Sequence, residues 1–322
     1  MRPSATDVTR DKSGSGEPPA VLVQGLRKTF GEVEAVARID LRIGRGEIFA
    51  FLGPNGAGKT TAVEILEGFR QRTEGEVSVL GCDPENANRA WRDRLGIVLQ
   101  ESAPDPGLTV NESLGLYAGY YAQPMDADAV LALVGLEAQG AVIATKLSGG
   151  QRRRLDFGLA LIGDPDLIFL DEPTTGFDPA ARRAAWDVIN SLRSLGKTIF
   201  LTTHYMEEAE ALADRIAVIV SGRIVAEGRP GTLGGRDRAA TRIAFQIPAG
   251  AADHAGAALP EPLEAKANGR VSVSTTEPLA ELERLAQWSR TTATPITHLE
   301  VTRPSLEEIY LALTGSTEAA NT

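Results

Sequence analysis

The stretch Gly53-Pro54-Asn55-Gly56-Ala57-Gly58-Lys59-Thr60-Thr61 constrains the fold more than any other part of this chain. Residues 47–52 before it read as a short buried strand, and Ala62, Ile65, Leu66 and Phe69 after it recur at helical spacing. Strand, glycine-rich loop and a helix opening on Lys-Thr-Thr is the context in which such a loop cradles phosphate. Its glycines let successive backbone N–H groups converge on one anion, and the helix N-terminus adds the positive end of its dipole. Lys59 would reach the β- and γ-phosphates, and the Thr60 hydroxyl would ligate Mg²⁺.

A second stretch fits the first. Residues 167–170 read as an apolar strand, and Asp171 and Glu172 stand at its end, where ligands bind in open α/β sheets. In this Walker-B arrangement Asp171 would hold Mg²⁺ through water, and Glu172 would polarise an attacking water as general base. A third stretch, Leu147-Ser148-Gly149-Gly150-Gln151, offers backbone N–H groups at a helix start, a second place for phosphate. One bound nucleotide does not explain two such sites in one chain.

With these stretches in this order, the chain resembles the ATPase subunit of an ABC transporter, and residues 147–151 match that family's signature without change. In the family two subunits pair head to tail, each signature capping the ATP on its partner's phosphate loop. The resemblance therefore implies a second copy of this chain as partner, and places ATP against residues 53–61, Ser148, Gly149, Gly150 and Gln151. It also makes Phe30 the aromatic that stacks on adenine, where the family often has Tyr. Gln100 becomes the residue that touches Mg²⁺ and reports nucleotide state to the membrane subunit. Asp178, in Gly176-Phe177-Asp178-Pro179, becomes the D-loop aspartate, with Phe where Leu is usual, and His204 the switch histidine at the γ-phosphate. Lys59, Gln100, Glu172 and His204 are thus the expected catalytic set, and Thr60, Gln100 and Asp171 the Mg²⁺ set. Three further segments are similar to daunorubicin-type exporter ATPases, whose permeases are separate ABC-2 type chains: residues 152–156, 206–210 and 304–315. Read on their own, the arginine run 152–154 and the acidic run 207–210 are solvated helix faces.

The chain of 322 residues has room for one large or two ordinary domains, and 43% hydrophobic with 24% charged residues describes a globular protein. A net charge of −10 argues against broad nucleic-acid binding. Cys82 is the single cysteine, which excludes an internal disulfide and a cysteine metal cluster. No apolar run approaches the ~18 residues that span a bilayer, and the first residues lack a signal-peptide core. The expected place is the cytoplasmic side of the membrane, reached through a permease.

Strands alternating with helices predict an α/β core with a mainly parallel sheet covered on both faces. The expected layout is a disordered tail at 1–19, an ABC-type P-loop ATPase domain at 20–235, an accessory domain at 236–315, and a tail at 316–322. Helical patterns at 110–122 and 127–134 mark an insertion at about 105–150. Strand patterns at 243–247, 271–274 and 296–301, with helices at 278–288 and 305–313, make the accessory part a small α+β fold. The expected function is an ATP-hydrolysing motor that drives a separate permease, with drug or antibiotic efflux as the cargo class. Two rivals are a soluble ABC ATPase on ribosomes or DNA and an ATP-gated drug-sequestering module. Against the first, this chain has one cassette and no heptad run. Against the second, the hydrolytic set is complete.

Overall fold

The computed structural model describes residues 17–99, 105–248 and 269–320, the side chains of 314–320 excepted. The chain divides into two compact units, one of Met1–Glu47 with Thr60–Phe200 and one of Ile48–Lys59 with Leu201–Thr322.

In the first unit β1 (Val21–Phe30) is the central strand of an antiparallel sheet, between β2 (Val33–Ile43) and β4 (Glu74–Val79). Val21 faces Ile43 on one side and Val79 on the other. Val21, Val23, Ile39, Leu41 and Ile43 are all buried, as the alternation in residues 35–43 predicts. The antiparallel pairing itself is new relative to the mainly parallel expectation, because strand pattern carries no statement of partner. A parallel pair does follow: β5 (Leu95–Val98) runs beside β6 (Leu167–Asp171), with Leu95 opposite Leu167 and Val98 opposite Leu170.

The described residues between those two strands are mainly helical. α3 (Val110–Ala118) starts in a Thr109–Glu112 capping box, and α4 (Ala127–Val134) runs from an Asp126 cap to a left-handed Gly135. α5 (Gly149–Leu161) is capped by Ser148 and buries Leu155, Phe157 and Leu161. α3 stops four residues short of the predicted end, with Gly119 as its C-cap. α1 (Lys59–Leu66) and the single turn α2 (Arg89–Arg92) precede these helices in the chain. α6 (Pro179–Ser194) begins on an Asp178 cap with proline in its first turn, which costs no helical hydrogen bond.

In the second unit β3 (Ile48–Leu52) is buried at every residue and runs parallel to β8 (Arg215–Val220). β8 returns antiparallel as β9 (Arg223–Gly228) through the predicted two-residue turn, with Val220 opposite Arg223. β7 (Thr198–Thr203), whose last three residues belong to this unit, is buried throughout, and the carbonyl of Thr203 accepts the N–H of Gly53 at 3.3 Å. α7 (Met206–Leu212) packs against β3.

Further along, β10 (Thr241–Gln246) is flanked by β11 (Arg270–Thr275) and β12 (Thr297–Thr302) in an antiparallel sheet. α8 (Pro278–Thr292) sets Leu285 and Trp288 against Ile243, Phe245 and Val271. α9 (Leu306–Ala320) starts in a capping box, Ser305 N–H to Glu308 at 2.9 Å and Glu308 N–H to Ser305 Oγ at 3.1 Å. It packs back on α7 and on the turn at residues 233–235. A Cβ at Gly234 would lie 2.6 Å from Ile309 Cγ2, so glycine is what lets that helix approach.

Candidate active site

In the second unit the glycine-rich loop leaves the end of β3. Gly56 (φ +80°) and Gly58 (φ +102°) take left-handed conformations that side chains resist. At Gly53 a Cβ would sit 2.4 Å from the Ile219 carbonyl oxygen, so the loop lies flush on β8. The Ala57 N–H donates to Pro54 O at 3.2 Å, and Ala57 O accepts the Gly222 N–H at 2.9 Å. Lys59 is 5% exposed, and its ammonium donates to Gly53 O at 2.8 Å and Pro54 O at 3.2 Å. The loop therefore carries its lysine folded into its own concavity. His204 follows β7 directly and is half-buried, with its ring 4.1 Å from that of Tyr205.

In the first unit β6 delivers Asp171 and Glu172. Residues 167–170 are fully buried, which contributes about 1.5–3 kcal/mol per large side chain. That outweighs the ~1–3 kcal/mol that Glu172 costs by lying at φ +45°, a left-handed conformation in a non-glycine residue. The Glu172 side chain is buried and accepts the Thr175 hydroxyl at 3.2 Å. Thr60 is the second residue of α1 and is exposed. Among the described residues no group of three or more His, Cys, Asp or Glu gathers as a metal cage. Thr60 and Asp171 are hard oxygen donors, and Mg²⁺ takes one or two of these from protein while water and phosphate complete its octahedron. The donor set fits Mg²⁺.

The other expected residues have these settings. Phe30, at the end of β1, is 43% exposed, with Lys28 Nζ 5.0 Å and the Arg70 guanidinium 5.1 Å from its ring centre. Both cations thus stand over the ring itself. Ser148 and Gly149 are exposed, and Ser148 Oγ accepts the Gln151 N–H at 3.3 Å. Asp178 is exposed and caps α6 through the Ala181 N–H at 2.8 Å. Gln100 and His254 lie outside the described residues. Cys82 is exposed.

Both charged runs depart from the solvated faces predicted for them. Arg153 is 7% exposed; it donates to Pro173 O at 3.0 Å, to Asp171 O at 3.2 Å and to Leu99 O. Arg154 donates to Gly135 O at 2.9 Å. Glu208 in the acidic run is fully buried, and Glu210 pairs with Arg236 at 2.7 Å. The signal was present for Arg153, since it shares one helical stripe with the buried Phe157, Ala160 and Leu161. A further carboxyl, Glu67, was passed over although it falls one turn after the buried Val63. Burial, with Asp171 and Glu64 nearby, pushes it up from 4.5 to about 8.

Comparison with known proteins adds the following. Residues 36–175 match the family model described as ABC transporter, and residues 241–305 match that of the C-terminal domain of ABC transporter domain-containing protein-like chains. The daunorubicin resistance ATP-binding protein DrrA3 of Streptomyces coeruleorubidus is 36% identical over 308 residues, covering 92% of this chain and 96% of that one. The Nod factor export ATP-binding protein I of Ralstonia nicotianae is 43% identical over 226 residues, covering 68% and 70% respectively. Among solved structures, the dimeric post-hydrolysis state of the ATP-binding cassette MJ0796, bound to ADP and Pi, superposes with a TM-score of 0.58 at 27% identity. That likeness covers 65% of this chain and 98% of the cassette.

Proposed function

The chain belongs to the ATP-binding subunits of ABC transporters, ATPases coupled to transport, and on that premise we propose that it is the motor of an exporter whose membrane part is a separate ABC-2 type permease. The observation that carries this reading is the likeness to the daunorubicin resistance protein, which spans 92% of the chain and so takes in the C-terminal sheet as well as the cassette. Drug or antibiotic efflux is the cargo class that follows. No helix among the described residues is long and apolar enough to cross a membrane, in keeping with a permease supplied by another chain.

Two copies pair head to tail around two ATP, Ser148, Gly149, Gly150 and Gln151 of each capping the nucleotide on the other's glycine-rich loop. Backbone N–H groups of residues 53–61 take the phosphate oxygens, and the Lys59 ammonium exchanges its two loop carbonyls for them. Phe30 stacks on adenine. Thr60, Gln100 and Asp171 hold Mg²⁺, which neutralises phosphate charge when bound. Glu172 orients and deprotonates the attacking water, and His204 meets the γ-phosphate. Asp178 works from the exposed start of α6, towards the partner copy. Catalysis is then positioning plus charge stabilisation. Closure of the dimer on ATP and its reopening after hydrolysis drive the permease, and the C-terminal sheet steadies the dimer.

The test is affinity purification of the tagged chain from detergent-solubilised native membranes, with ATPase activity assayed on the eluate. A stoichiometric polytopic partner, with activity lost in Glu172→Gln, is the expected result. Recovery with ribosomes or DNA, or alone despite intact membranes, overturns the exporter reading.

A further inference from the structure

Among the described residues of the first unit, Arg153 is the buried cation for which the motifs supply no role, and its contacts are specific. One guanidinium reaches three carbonyl oxygens in two separate segments: Asp171 O at 3.2 Å and Pro173 O at 3.0 Å on either side of Glu172, and Leu99 O at the end of β5. Its own helix steadies it through Asp156, 3.8 Å away. Phe157 lies one turn on, its ring centre 6.0 Å from the guanidinium. The planar five-donor fork of arginine can serve several acceptors at once; a lysine ammonium is a single point.

Glu172 needs such a brace. Its φ of +45° disfavours it against extended alternatives, and the carbonyls that Arg153 grips belong to the residues immediately before and after it. Gripping the peptide before Glu172 and the carbonyl after Pro173, whose ring already fixes φ at that residue, restrains the direction in which the Glu172 side chain leaves the backbone. The third carbonyl, of Leu99, immediately precedes Gln100. Arg153 itself stands five residues beyond Ser148, on the helix that Ser148 caps.

We propose that Arg153 is a positioning residue for hydrolysis: it holds Glu172 in its reactive orientation and ties that orientation to the helix that starts at the signature. The proposal rests on Glu172 being the general base. Arg153 touches neither nucleotide nor water in this scheme and acts through the backbone on both sides of Glu172. Order at the catalytic carboxylate of one subunit then depends on how that subunit's own signature helix is seated.

The experiment compares the full-length wild type with Arg153→Met, Arg153→Lys, Glu172→Gln and the Arg153→Met/Glu172→Gln double variant. It measures kcat, KM, affinity for a fluorescent ATP analogue, thermal midpoint and residual single-turnover hydrolysis. Misplacing the base costs about 10- to 100-fold in kcat in Arg153→Met, while nucleotide affinity stays within about threefold. Arg153→Lys recovers only part of that loss, and if Arg153→Met does not fold, Arg153→Lys alone carries the kcat-against-affinity comparison. In the Glu172→Gln background the arginine substitution adds no further loss, since the group it positions is already gone. An unchanged kcat, an affinity loss that accounts for the whole effect, or a full additional loss in the double variant overturns the proposal. Near-normal turnover in Glu172→Gln alone instead overturns the general-base reading, so the two failures are told apart.

Discussion

At the scale of single residues, buried charge is where the structure goes furthest beyond the sequence. Glu67 ionises near 4.5 in an unfolded chain, whereas the folded chain keeps its proton up to about pH 8. The native state therefore binds more protons between those values, and stability falls as pH rises through that window, by up to about 1.4 kcal/mol per pH unit. Glu67→Gln keeps the neutral shape and removes the titration. The nucleotide-free variant should lose less of its thermal midpoint than wild type between about pH 5.5 and about pH 7.5. Parallel profiles for the two proteins would show that Glu67 is ionised throughout. Lys59, Asp171 and Glu172 could be singled out beforehand because a strand, a tight loop and a helix fix their setting within a few residues. Arg153 and Glu67 could not, because a charge on a helix is buried or solvated according to what packs over it. For Arg153 those partners are 18, 20 and 54 residues away in sequence.

At the scale of elements, type and position were legible almost throughout, since hydrophobic period and caps are local. The Ser305–Glu308 box and the turn at Ser221-Gly222 form as read. Pairing was less legible: nothing local says that the strand at Val21 joins residues 33–43 and 74–79 in an antiparallel sheet. Nor does local pattern show where the last helix docks. α9 buries Leu306 and Tyr310, and burial holds the Tyr310 hydroxyl above its usual ionisation range. Tyr310→Ala should cost about 2–4 kcal/mol in chemical denaturation, through the cavity left in that contact. Leu279→Ala on α8, where the leucine is 82% exposed, should stay within about 0.5 kcal/mol. Equal effects would mean that the docking of α9 contributes little. Deletion of everything after Gly235 would likewise strip α9 from α7, so it tests folding as well as any role of the C-terminal sheet in dimers.

At the scale of the whole molecule, the proposed cycle makes one chain insufficient. The residues assigned to the capping side, Ser148 and Gly149, are exposed. Glu172→Gln should bind ATP, fail to turn it over and persist as a dimer by light scattering, reverting to monomer when ATP is removed. A monomer at saturating ATP would count against the paired arrangement. A further consequence concerns the making of the protein. β3 is synthesised early, yet its parallel neighbour β8 lies about 160 residues later in the chain. At ~5–20 residues per second, roughly 8–30 s of translation separate the two. During that interval Phe49, Phe51 and Leu52 lack Arg215, Ala217 and Val218, the residues paired with them in the native sheet. A nascent chain of this design spends those seconds with a sticky apolar segment on display, and its yield in the cell depends on what shields that segment until the ribosome has delivered β8.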